Sequence, residues 1–109
     1  MSELHFDLGL VRAAVAAGRL SWSRHAVARM QERAFTRADV LEGLREGQVI
    51  ESYADDAPYP SALVLGFVRG RPVHIVVALD SALPEGHIIT VYEPSSDEFG
   101  PDWRTRRTQ

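Results

Sequence analysis

The chain contains no cysteine and no lysine. Without cysteine there are no disulfides, no thiolate-held zinc or iron–sulfur cluster, and no thiol nucleophile. Long apolar runs are missing too. No stretch reaches the roughly 18 residues that a membrane span needs. The first apolar stretch follows an acidic Glu3 rather than the basic leader of a signal peptide, so a cytoplasmic protein with no membrane association is expected. Motifs of fixed spacing are equally scarce. There is no GxSxG or SxxK for a serine hydrolase, no HExxH or HxH for a metal, and no glycine-rich phosphate loop. The expectation is a protein without metal or cofactor. Repeats, low-complexity tracts and linkers are absent as well.

What is present is the composition of one globular domain. The chain has 109 residues, 45% hydrophobic and 25% charged, which is enough to bury a core. Its net charge of −3 argues against non-specific nucleic-acid binding. However, all 12 basic residues are arginine, a planar fork that matches carboxylate and phosphate. Acids crowd 39–56 and 93–102, whereas arginines cluster in 19–37 and 104–107, so a locally basic surface is compatible with the acidic total.

The hydrophobic period divides the chain into a helical part (1–47), a sheet part (48–93) and an arginine-containing tail (94–109). A first helix runs from Asp7 as N-cap to Gly18. A second follows Ser23. A third opens on the capping box Thr36–Asp39 and stops at Gly47. Phe6 with Val11, and Trp22 with Val27, have the spacing of hydrophobic staples. Beyond Gly47 the pattern alternates. QVIESY, ALVLGFV, PVHIVVAL and HIITVYE read as strands, with a tight turn at Arg69-Gly70-Arg71 and turn-rich loops at ADDAPYPS and Ser81 to Gly86. Phe99 and Trp103 are expected to tack the tail back onto the sheet. The predicted fold is α+β, with N-terminal helices on one face of a four-stranded antiparallel sheet, helices only before Gly47 and strands only after it.

Two groups of residues suggest chemistry. His25, Arg29 and Arg33 follow one another at i, i+4 and i+8 along the border of the second helix's apolar face. They read either as anion donors or as stems covering that edge and pairing with acids such as Glu32 or Glu51. On the strands, Val73, Ile75, Val77 and Leu79 point one way, and His74, Val76 and Ala78 the other. Ile89 and Val91 share one face of the last strand, while Ile88, Thr90 and Tyr92 share the opposite one. His74, Thr90 and Tyr92 are therefore expected on the face that the helices leave free. The bland alternative is a histidine satisfied by a backbone carbonyl beside a half-buried tyrosine. His5 and His87 read as surface residues at element ends. Arg104, Arg106 and Arg107 read as solvated charge or as phosphate contacts beside the sheet.

SRHAVARMQERAFTRADVLEGLREGQVIESYADDAPYPSALVLG, followed by RPVHIVVAL and IITVYEP, resembles the bacterial domain-of-unknown-function family 4258 over roughly residues 21–95. The family's motifs are Ser-x-His-Ala-x-x-Arg-Met-x-x-Arg, an Asp-Val helix, Pro-Tyr-Pro-Ser, a Leu-His-Val-Val strand (Val-His-Ile-Val here) and Ile-Ile-Thr-Val-Tyr. In this tail Phe99 stands near the place of the family's tryptophan.

The resemblance implies a RelE-like fold and kinship with RelE- and MqsR-like toxins of toxin–antitoxin systems. It further implies a metal-independent mRNA endoribonuclease acting on RNA or ribosome-bound mRNA. The partner it implies is an antitoxin, a zinc-finger protein of the MqsA type being one form, with a homodimer left open. On that reading His74, His25 and Tyr92 are the catalytic candidates, and Arg29, Arg33, Thr90 and Arg104 the substrate-binding ones. The rival is a non-catalytic protein-binding module of the same fold.

Overall fold

The computed structural model describes residues 6–107; His5 lies outside them. In chain order the elements are α1 (Leu8–Ala16), β1 (Leu20–Trp22), α2 (Arg24–Arg33), α3 (Arg37–Glu46), β2 (Gln48–Tyr53), β3 (Ser61–Val68), β4 (Arg71–Asp80) and β5 (Glu85–Tyr92). Each helix begins where a side chain satisfies its free amides. The Asp7 carboxylate accepts the Leu10 N–H at 3.1 Å, and the Ser23 hydroxyl accepts the Ala26 N–H at 3.0 Å. Thr36 and Asp39 close a reciprocal capping box. Ala34, in the left-handed region at φ 59°, ends α2.

The strands form one sheet in the order β1-β5-β4-β3-β2, antiparallel except for the parallel pair β1–β5. This corrects the expected four-stranded antiparallel sheet and the expected absence of strands before Gly47. Leu20–Trp22 is too short to show alternation and lies between a helix stop and a helix cap, so by pattern it reads as a connector. It becomes a strand because β5 offers it an unpaired edge. The β3–β4 hairpin turns through Arg69 and Gly70, at φ 51° and 76°, the two positive φ values of a type I′ turn.

All three helices cover one face. Val11, Ala26, Met30, Phe35, Val40 and Leu44 pack against Val73, Ile75, Val77, Ile88 and Val91. Full burial of such a side chain contributes about 1.5–3 kcal/mol. Helix α3 approaches β3 so closely that a Cβ built on Gly66 would lie 2.7 Å from the Gly43 backbone.

A bulge revises the faces expected for β5. Val76 pairs with Thr90 but Val77 with Ile88, which leaves Ile89 as an extra residue. Ile89 is pushed outward and is 39% exposed, and Ile88 joins Val91 on the helix side, instead of sharing a face with Thr90 and Tyr92. Among the described residues no helix is long and apolar enough to cross a membrane.

Candidate functional site

Cross-strand pairing places Gln48, Leu65, His74 and Tyr92 in one row across β2, β3, β4 and β5, on the face opposite the helices. The neighbouring row is Glu51, Leu63, Val76 and Thr90. Tyr53, two residues beyond Glu51, shares its face.

This face is not open. The tail folds back over it as a narrow loop closed by the bridge between Phe99 and Arg106 and by the Gly100 N–H donating to the Thr105 carbonyl at 2.8 Å. Phe99 is 1% exposed, and its ring stands edge-on to His74 at 4.5 Å between centroids. Inside the loop Asp102 accepts the Arg104 and Thr105 amides and the Thr105 hydroxyl. These bonds pull its carboxyl down to about 2.

His74 has no exposed surface. Its Nε2 lies 2.7 Å from the carbonyl oxygen of Trp103, a residue held at φ 61°. A carbonyl only accepts, so Nε2 carries the proton, and Nδ1 presents its lone pair to the Tyr92 hydroxyl 3.3 Å away. Burial pushes the His74 pKa below its ordinary value, outweighing the carbonyl and the carboxylate of Glu51, which favour the cation. The ring is therefore neutral, with one tautomer selected. Tyr92 is shifted upward by burial and keeps its proton.

Beside this pair Arg106 grips Glu51 through two bonds, Nε to Oε2 at 2.6 Å and Nη2 to Oε1 at 3.0 Å. The Arg106 guanidinium also lies 4.8 Å above the Phe99 ring. Tyr53 donates its hydroxyl to Glu51 at 2.5 Å. Hydrogen bonding from Arg106 lowers the Glu51 pKa, and burial together with the Glu51 carboxylate pushes Tyr53 up to about 12. Arg106 is held firmly charged by Glu51. Arg104 reaches the Gln48 side-chain oxygen at the rim of the same face.

The structure divides the sequence candidates. His74, Tyr92, Thr90 and Arg104 belong to the tail-side face. His25, Arg29 and Arg33 lie exposed on α2, whose buried residues Ala26 and Met30 pack against the other face of the sheet. Arg29 pairs with Glu32 at 3.6 Å, and the Arg33 carbonyl accepts Arg71 at 3.3 Å. The two groups do not form one cleft.

Sequence reasoning missed Tyr53 altogether, and it named Glu51 only as a partner for the α2 arginines and Arg106 only as part of the basic tail, whereas the structure joins the three on the tail-side face. The i, i+2 spacing of Glu51 and Tyr53 in QVIESY was the available signal for two of them. His87 is half-buried rather than a plain surface residue. It bonds Ser21 Oγ at 2.6 Å and stacks on Tyr59. Among the described residues no three histidine or acidic side chains gather as a metal site.

The model of a domain of unknown function, DUF4258, matches residues 22–93. The chain belongs to that family. No curated protein and no solved structure matches it.

Proposed function

We propose that the chain is an RNA-directed toxin of a bacterial toxin–antitoxin pair, cleaving RNA without a metal at the tail-side face. The observation supporting this reading is the convergence of a carboxylate, an arginine and two phenols around His74 on one sheet face. Cleavage at a 2′-hydroxyl needs a base, a cation for the phosphorane and an acid for the leaving oxygen.

Glu51 takes the 2′-OH proton as the 2′-oxygen attacks phosphorus. The P–O5′ bond breaks, leaving a 2′,3′-cyclic phosphate, and Tyr92 protonates the departing 5′-oxygen. Arg106 neutralises the charge that builds on the phosphoryl oxygens. A phosphate that draws Arg106 away from Glu51 also removes what holds the Glu51 pKa down, which makes the carboxylate a better base. His74, fully buried, does not touch RNA. It acts through Tyr92 as a positioning residue. His25, Arg29 and Arg33 stand apart from this chemistry.

The test is cleavage of end-labelled RNA by the purified protein, with and without ribosomes, together with growth arrest on induction. Glu51→Gln is expected to cut about 100-fold more slowly or worse while keeping its fold. A wild type that neither arrests growth nor cuts RNA in either setting rules the reading out.

One observation favours a second reading, a non-catalytic module that binds a protein partner. His74 is sealed and both of its nitrogens are engaged, as in a face built to clamp the tail. Undiminished rescue by a neighbouring gene's product, without any RNA cleavage, supports that reading instead.

A further inference from the structure

Beside the His74 row, at the β2 and β3 end, is a cavity of about 290 Å³ lined by Glu46, Gln48, Leu65, Phe67, Asp102 and Arg104. Its floor is apolar. Leu65 is 7% exposed, but Phe67 leaves half of its surface open at 50%, the kind of exposed aromatic on a sheet face that a planar ligand covers. Its walls have a fixed polarity. Arg104 can only donate, and the Glu46 carboxylate supplies acceptor oxygens. Arg104 already bonds the Gln48 oxygen, so the Gln48 amide presents its NH₂. Asp102 is occupied by the Arg104 and Thr105 amides and the Thr105 hydroxyl, and it holds the tail loop that carries Arg104.

We infer that this cavity is a nucleobase subsite selecting guanine in single-stranded RNA, stacked on Phe67 and read by Glu46 and Arg104. Among the four RNA bases only guanine offers two adjacent donors, N1–H and the 2-amino group, to a carboxylate. It also offers two adjacent acceptors, O6 and N7, to a guanidinium. The site is close to the proposed chemistry. Gln48 is in the same row as His74, and Arg104 is two residues from Arg106, so a base held here puts its own or the next phosphate near Arg106. The subsite rests on the RNA reading above, yet it is measured separately from cleavage.

The probes are fluorescein-labelled 2′-O-methyl hexamers, which cannot be cleaved, of uridine with one central G, A, C or U. Anisotropy titrations with the full chain are expected to show the G probe bound at least fivefold more tightly than the others. Phe67→Ala should weaken the G probe roughly tenfold, as loss of one stacked base does. Glu46→Ala should erase the preference for G over A, and both variants should melt like the wild type. Equal binding of the four probes by the wild type overturns the subsite, as does a G preference that survives both substitutions. The same hexamers as plain RNA separate the two ideas. Cleavage without base preference leaves the nuclease standing and removes the subsite, whereas Phe67-dependent G binding without cleavage keeps the subsite and removes the nuclease.

Discussion

A neutral, buried histidine makes stability depend on pH in a defined direction. The folded-state pKa of His74 lies below its ordinary value of 6.5, so between the two values the unfolded chain binds a proton that the folded chain does not. Stability is therefore fully present above about pH 7 and falls as the pH drops through the ordinary histidine value. Urea midpoints of the wild type should decline from pH 7.5 to pH 5. His74→Gln, which cannot take up a proton, should lose that part of the slope. The sequence pattern was informative for this residue: strict alternation in PVHIVVAL puts its ring opposite Val73, Ile75 and Val77, where it is found. What alternation cannot show is the cover. Burial of His74 depends on Phe99 and on the backbone of Trp103, 25 and 29 residues further along the chain. No local pattern encodes that contact.

Among the elements, α3 is the one whose placement is most exacting. Gly43 and Gly66 meet backbone to backbone, and a methyl group on Gly66 has nowhere to go except by moving the helix off the sheet. Gly66→Ala should cost about 1–3 kcal/mol, as overpacking does, read as a lowered thermal midpoint with the same secondary structure by circular dichroism. The helices were legible because their ends carry local chemistry: Asp7, Ser23 and the Thr36–Asp39 box each sit where a cap is needed. The long strands were legible from alternation. β1 was not, because three residues carry no period, and its identity depends on the distant edge of β5. The bulge at Ile89 escaped for a related reason. It is a property of the pair β4–β5, so neither strand alone reveals it.

At the scale of the molecule, the tail is a structural part of the sheet's second face. Phe99, Trp103 and Arg106 together seal His74 and hold Glu51. Phe99→Ala should lose about 3–5 kcal/mol, a large share of a small domain's stability. In the fraction that stays folded, the His74 ring should meet water, so its pKa, followed by NMR of the ring protons, should rise toward the ordinary value. A ring that stays protected would show that the tail does not provide the seal. The candidate site was half legible for the same reason. His74 and Tyr92 come from strands whose faces can be counted, whereas Arg106 joins them only because the tail turns back at Gly100.

The parallel strand β1 also dictates an order of events. Ser21 meets His87 across 66 residues of chain, whereas β2 to β5 are joined by short hairpins. Closing so large a loop is entropically costly, and β1 has no partner until β5 is in place. The β2–β5 meander with α3 docked on it should form the rate-limiting nucleus, and β1 should zip on afterwards. Leu20→Ala is then expected to speed unfolding in a stopped-flow chevron while leaving the refolding limb nearly unmoved, and Ile75→Val, in the centre of the meander, to slow refolding instead. The first part of the sheet to be synthesised would thus be the last to take its place.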